Sequence, residues 1–169
     1  ETNEVQVLDV GPAGTCFRFL TAFLAQRAGK YILTGSERMK QRPIGPLVDA
    51  LHKLGASIEY LESEGFPPLA ITGKKLKANH PISIDASVSS QFITALLLIA
   101  PYLDSGLTLK LTGRISSKPY LTMTLALMQQ QGVQCKMEGN QIYIAPQPYN
   151  FKEVFVESDW SAAAYFYGL

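Results

Sequence analysis

The sequence predicts an α/β (α+β) fold assembled from tandem βαβαββ units. Three observations carry that expectation. Leu33-Thr34-Gly35 returns as Leu111-Thr112-Gly113, 78 positions further on. Leu54-Gly55-Ala56 returns as Gln131-Gly132-Val133 after a shift of 77. An apolar stretch with a shared core precedes each Leu-Thr-Gly: Phe19-Leu20-Thr21-Ala22-Phe23-Leu24, then Phe92-Ile93-Thr94-Ala95-Leu96-Leu97. A third copy begins at Ser161-Ala162-Ala163-Ala164-Tyr165-Phe166 and is cut off at Leu169. Internal repeats define architecture first. They also point to function, because a repeated helix start is a repeated place for an anion.

The elements follow in order along the first copy. Val5 to Val10 reads as a strand, Gly11-Pro12-Ala13-Gly14 as a turn, and Thr15 as the N-cap of an apolar helix reaching about Ala28. Tyr31 to Thr34 is a strand, and Gly35 to Arg42 a polar loop. Pro43 suits the first turn of a helix carrying Ile44, Leu47, Val48, Leu51 and Leu54, which Gly55 ends. Ser57 to Leu61 alternates as a strand, with Leu69 to Thr72 as its hairpin partner.

The second copy runs the same way. Ile82 to Asp85 is a strand, Ser89 or Ser90 caps a helix to about Ala100, and Leu107 to Thr112 is a strand. Pro119 opens a helix bearing Leu121, Leu125 and Met128, and Val133 to Met137 pairs with Ile142 to Ala145 across Gly139-Asn140. The expected units are 1–73 and 74–157, joined by the Lys-rich stretch Gly73 to Asn79, with 158–169 starting the next crossing. A helix with one apolar face needs a sheet or a sister helix to bury it. The units therefore stack with helices inside and sheets outside, or close a layered α/β domain.

Composition narrows the function classes. At 47% hydrophobic and 17% charged over 169 residues, the chain fits one globular domain with a sizeable core. A net charge of +1 gives no general electrostatic case for nucleic acid or an acidic membrane surface. Cys16 and Cys135 have no paired spacing, which argues against a disulfide scaffold or a zinc site and suits a reducing cytoplasm. Cys16 is expected to be packed. The apolar run Phe92 to Leu103 is too short to span a bilayer. The chain lacks an initiator methionine and its third repeat is cut short, so it reads as a piece of a longer protein.

Four segments carry polar groups that packing does not require. In Gly11-Pro12-Ala13-Gly14-Thr15-Cys16-Phe17-Arg18, glycines let backbone N–H groups approach a ligand at a helix start, and Arg18 adds a charge one turn in. Ser36 to Pro43 holds Arg38, Lys40 and Arg42 directly before a helix. Two such cations can face one anion, and Arg42, restricted by Pro43, is the strongest candidate for a bidentate contact. Ser87-Val88-Ser89-Ser90-Gln91-Phe92 opens an apolar helix with more hydrogen-bonding groups than a cap requires. Ser116-Ser117-Lys118-Pro119-Tyr120 occupies the place in copy two that Arg42-Pro43 holds in copy one. Capping and solvation explain each segment alone, but four at repeat-equivalent positions weaken that explanation. His52 and His80 have neither a partner carboxylate nor metal-ligand spacing, and no dinucleotide or P-loop glycine pattern is present.

In this order the segments resemble the EPSP synthases, the 3-phosphoshikimate 1-carboxyvinyltransferases. The matching residues are Ala13-Gly14-Thr15 with Arg18, Leu33-Thr34-Gly35 with Arg38-Met39-Lys40, and Arg42-Pro43-Ile44-Gly45 followed by Leu47-Val48-Asp49-Ala50-Leu51. They continue through Ser87 to Phe92, Ser117-Lys118-Pro119-Tyr120 and the closing Asp159 to Phe166. The resemblance implies an inside-out barrel of βαβαββ units with inward helices and outward sheets, two of three units being present. It implies enolpyruvyl transfer from phosphoenolpyruvate to the 5-hydroxyl of shikimate-3-phosphate, in the shikimate pathway of aromatic amino acid biosynthesis.

Carried over by residue, the resemblance gives Ser89, Ser90 and Ser117 to the shikimate phosphate and places Tyr120 beside its ring. It gives Gly14 and Arg42 to phosphoenolpyruvate, has Gln91 touch both ligands, and makes Arg18 a support. It implies no cofactor, no metal, no nucleic-acid or membrane partner, and a monomeric cytoplasmic parent. The catalytic acid and base would lie in segments absent from this chain, so these residues alone would lack transferase activity. The missing unit would leave apolar helix surface uncovered. Pro12 and Phe19 depart from the family's frequent Asn and Pro. The related UDP-N-acetylglucosamine carboxyvinyltransferases carry a Cys in the loop before Arg-Pro, and Ser36 to Gln41 contains none.

Overall fold

The computed structural model describes residues 4–115, 117–156 and 160–168. The first unit runs β1 (Val5–Asp9), α1 (Gly14–Gln26), β2 (Gly29–Thr34), α2 (Glu37–Lys40), α3 (Gly45–Lys53), β3 (Ser57–Tyr60) and β4 (Leu69–Gly73). The second runs β5 (Ile82–Asp85), α4 (Ser90–Ile99), β6 (Leu107–Thr112), α5 (Lys118–Gln130), β7 (Cys135–Glu138) and β8 (Gln141–Ile144). A last helix, α6 (Trp160–Tyr167), covers the start of the third copy.

Both units build the same four-stranded sheet. The orders are β1-β2-β4-β3 and β5-β6-β8-β7. In each, the first pair is parallel and is joined through a helix, whereas the others are antiparallel. The repeated Leu-Thr-Gly falls at the same place in both sheets: Leu33, opposite Leu69, is the last residue but one of β2, and Leu111 is the last but one of β6.

One face of each sheet feeds the core. Along β6, Leu107, Leu109 and Leu111 are buried and the residues between them are more open; Ile82 and Ile84 alternate likewise on β5. The helices fill the space between. α4 is buried from Phe92 to Leu97 and again at Ile99, and it packs on α1, α3 and α5. A helix apolar all round belongs inside. The structure thus takes the arrangement with helices inward and sheets outward. The connection between units is not loose: Lys74 N–H donates to Ala25 O, Lys77 N–H to Leu54 O, and Leu76 is buried.

Several local expectations are corrected. α1 begins at Gly14 with Ala13 at the cap position and no side-chain cap bond, so Thr15 is not the N-cap. The chain enters the helix early because Ala13 N–H already donates to Val10 O in the preceding turn. The polar loop 35–42 contains α2, one turn capped by Ser36 Oγ, which accepts from Met39 N–H at 3.3 Å. Pro43 precedes its helix; Ile44 caps α3 and Pro46 occupies the first turn. Cys16 is exposed rather than packed, while Cys135 is buried. Among the described residues no helix is long and apolar enough to cross a membrane. Ser116 and Asp159, both named in the sequence motifs, lie outside the described residues.

Candidate functional site

Hydrogen bonds between loops bring the first unit's polar segments together. Val10 N–H donates to Thr34 O at 3.1 Å and Ser36 N–H to Gly11 O at 3.0 Å, so the turns after β1 and β2 are knitted side by side. Gly35 is needed there, because a Cβ would sit 2.5 Å from Gly11 O. Met39 is fully buried and anchors α2. Arg42 N–H donates to Met39 O, and the backbone then turns at Pro43. This aims the Arg42 side chain back across the start of α1.

The three cations of this segment part company. Lys40 Nζ lies 3.2 Å from both Glu37 and Glu62 and is held protonated by them. Arg38 is exposed. Only Arg42 reaches a cleft of about 650 Å³ whose walls come from both units. The two-cation reading is met by a different partner, Arg18. Its guanidinium and that of Arg42 converge on Gly14, where an added Cβ would lie 2.1 Å from Arg42 Nη1 and 2.6 Å from Arg18 Nη1. Glycine is the one residue that leaves room for both forks.

From the second unit, the cleft takes the start of α4. Ser89 Oγ caps the helix, accepting from Gln91 N–H at 3.2 Å. Ser90 and Gln91 follow, both half-buried on the cleft wall. Gln91 Nε2 donates to Thr15 Oγ1 at 2.9 Å, bridging the units. Thr15, expected as a cap, is therefore a cleft residue. Asp85 shapes the approach: its Oδ1 accepts from Ser87 N–H at 2.9 Å and from the Ser87 hydroxyl at 2.7 Å. These bonds, the backbone one first, hold its carboxyl below the usual carboxylate range.

Ser117 and Tyr120 enter from the start of α5, and both are exposed. Ser117 has φ +60° and ψ 36°, a left-handed conformation unusual for a residue with a Cβ, and makes no side-chain cap bond. Strain of this kind at a cleft is a mark of function. The cleft thus gathers Arg18, Arg42, Ser89, Ser90, Gln91, Ser117 and Tyr120, with Gly14 beneath the two arginines.

Among the described residues no carboxylate lines this cleft. The starts of α1 and α4 add partial positive charge. The walls can accept one or more anions, but they hold no acid–base pair.

Two further residues were missed in the sequence. Phe92 supports Arg18, whose Cζ lies 5.3 Å from the ring centroid. Phe19, with Met123, Leu127 and Tyr149, lines a neighbouring apolar groove of about 450 Å³ between α1, α4 and α5. Met123 and Leu127 are about half-exposed there. Pro12 is exposed and does not line the cleft. Among the described residues no cluster of His, Cys, Asp or Glu is placed to hold a metal.

A two-unit βαβαββ fold with helix starts of both units on one cleft recurs in known proteins. The family model described as EPSP synthase (3-phosphoshikimate 1-carboxyvinyltransferase) matches residues 1–169. A 3-phosphoshikimate 1-carboxyvinyltransferase of Bacteroides fragilis is 51% identical over 167 residues, covering 98% of this chain and 40% of the relative. One from Vibrio cholerae is 46% identical over 168 residues, covering 98% and 39%. The solved EPSP synthase from Acinetobacter baumannii superposes with a TM-score of 0.78 at 26% identity, covering 95% of this chain and 36% of that one. The chain belongs to the EPSP synthase family. It spans about two fifths of the length of these relatives.

Proposed function

We propose that the cleft is the anion-binding half of an enolpyruvyl transfer site. A full-length protein carrying this chain moves the carboxyvinyl group of phosphoenolpyruvate to the 5-hydroxyl of shikimate-3-phosphate and releases phosphate. The observation that carries this reading is convergence: two guanidiniums, two helix starts and three serines from different repeat units meet at one cleft, on a chain of this family.

In this reading Ser89, Ser90 and Ser117 hold the phosphate of shikimate-3-phosphate, and Tyr120 lies beside its ring. Arg42, with the Gly14 backbone, holds phosphoenolpyruvate. Gln91 spans both ligands, as its bridging position between units suits, and Arg18 supports the phosphoenolpyruvate side. The units are 1–73 and 74–157, with 158–169 leading into the next.

The chemistry needs a proton delivered to the methylene carbon of phosphoenolpyruvate, attack by the hydroxyl oxygen on the adjacent carbon, and a base for the hydroxyl proton; phosphate then departs as a proton is taken back from the methyl group so formed, which restores the vinyl double bond. The cleft holds and orients anions, and among the described residues it carries no Asp, Glu, Lys or His; in this reading the proton donor and base come from other segments of the protein. This chain's contribution is positioning and charge neutralisation. The two free cysteines suit a reducing cytoplasm; in this reading the enzyme is also monomeric and needs no cofactor.

Phosphate release by the full-length protein is the test. Release that depends on both phosphoenolpyruvate and shikimate-3-phosphate supports the reading. Release that depends on UDP-N-acetylglucosamine instead overturns the substrate assignment. The 169 residues alone are expected to give no turnover.

A further inference from the structure

The least explained group in the molecule is Arg18. It is only 5% exposed, and its Nε and Nη1 have no hydrogen-bond partner. Buried guanidiniums are normally paired, because an unpaired buried charge is expensive. Its surroundings add positive charge. Arg42 approaches the same point beside Gly14, the positive end of α1 lies there too, and among the described residues no carboxylate lines the cleft. The Phe92 ring face offers Arg18 partial compensation but cannot neutralise it. Burial, and then the charge of Arg42, lower its pKa without discharging it.

We propose that Arg18 is a direct ligand of the anion held by Arg42, and that the pair selects a doubly charged tetrahedral group over a singly charged one. This rests on the cleft being the anion site argued above, and goes beyond it by giving Arg18 contact and selectivity rather than support. A monoanion would neutralise one fork and leave the other charge buried and uncompensated. A phosphoryl dianion offers oxygens to both forks and two charges to match. The unpaired Nε and Nη1 are the donors left free for it.

Methyl phosphate and methyl sulfate have the same shape and differ in charge, so they isolate the effect. Binding of each to the chain is measured by calorimetry at low salt, at pH 7.5 and pH 5. At pH 7.5 methyl phosphate is expected to bind about tenfold or more tightly than methyl sulfate, through one extra charge-assisted contact. That preference is expected to shrink at pH 5, below the second phosphate pKa of about 6, where the ligand becomes a monoanion. In Arg18→Gln the preference is expected to disappear, and in Arg18→Lys to fall partway. The unliganded melting temperature of Arg18→Gln is expected to hold or rise, since a buried unpaired charge is gone; a purely structural arginine would lower it. If the wild-type chain shows less than about a threefold preference at pH 7.5, too little for a second charge-assisted contact, the inference fails without recourse to any variant. If Arg18→Gln keeps the preference while Arg42→Gln loses binding, Arg18 is not a ligand and the site reading survives. If neither ligand binds the wild-type chain, the site reading itself is wrong, and this inference with it.

Discussion

Gly14 is where residue identity most sharply decides geometry. An added Cβ meets no backbone and only the ends of two long side chains, so the clash is relieved by moving the forks of Arg42 and Arg18. Gly14→Ala is therefore expected to fold normally, with stability within about 1 kcal/mol, since alanine also improves the helix start. Phosphate-monoester affinity is expected to fall about tenfold as both charge-assisted contacts are displaced; calorimetry beside a melting curve separates the two effects. Arg42→Lys removes the planar fork but keeps the charge. In the full-length protein the KM for phosphoenolpyruvate is expected to rise, for a loss of about 2–4 kcal/mol, roughly 30- to 1,000-fold. An unchanged KM would mean Arg42 is a solvated loop charge. Ser117 presents the opposite balance. Its left-handed backbone costs about 1 kcal/mol that glycine would not incur. Ser117→Gly is expected to raise the melting temperature while weakening shikimate-3-phosphate binding by about tenfold through the lost hydroxyl. Weaker folding together with unchanged binding would contradict that role.

At the scale of elements, the long repeated helices and strands were legible because their information is local. Alternation marked β3 and β7, and apolar spacing marked α3 and α5. The misreadings have local causes too. Thr15 has the chemistry of a cap, but the turn at Val10–Ala13 starts the helix two residues earlier and frees its hydroxyl for Gln91. α2 is a single turn and has no period to read; it exists because Ser36 caps it and Met39 is pulled into the core. The burial of Arg18 was not legible, because the ring that covers it, Phe92, belongs to the other unit. The approach to α4 gives a pH-dependent prediction. The Asp85 carboxyl is lowered by bonds from Ser87, so it favours the folded turn above the unfolded carboxylate pKa of about 3.9 and loses that contribution as pH falls through its lower folded value. The Ser87 amide shift, followed by NMR, is expected to stay constant down to that range and then move. In Asp85→Asn the transition is expected to be absent; persistence of the same transition would assign it to another group.

For the whole molecule, the repeat announced the architecture, and the structure realises it as two sheets of one topology around a shared helical layer. The site was legible in part. The polar segments stood out singly, but periodicity could not say that they meet, because their meeting depends on how α1 packs against α4. The assignment of residues to particular ligands came from family resemblance, and their convergence on one cleft supports it. Gln91 donating to Thr15 across the units is the contact on which a shared site turns. The central claim is that one cleft at this junction receives both anionic substrates. An NMR titration of the isotopically labelled chain with shikimate-3-phosphate, then with phosphoenolpyruvate, tests it most directly. The account predicts that shikimate-3-phosphate shifts the amides of Ser89, Ser90, Gln91 and Ser117, that phosphoenolpyruvate shifts Gly14 and Thr15 with Gln91 responding to both, and that Arg42→Gln abolishes only the second set. Amide shifts confined to other surfaces, or no shift with either compound at millimolar concentration, would contradict it.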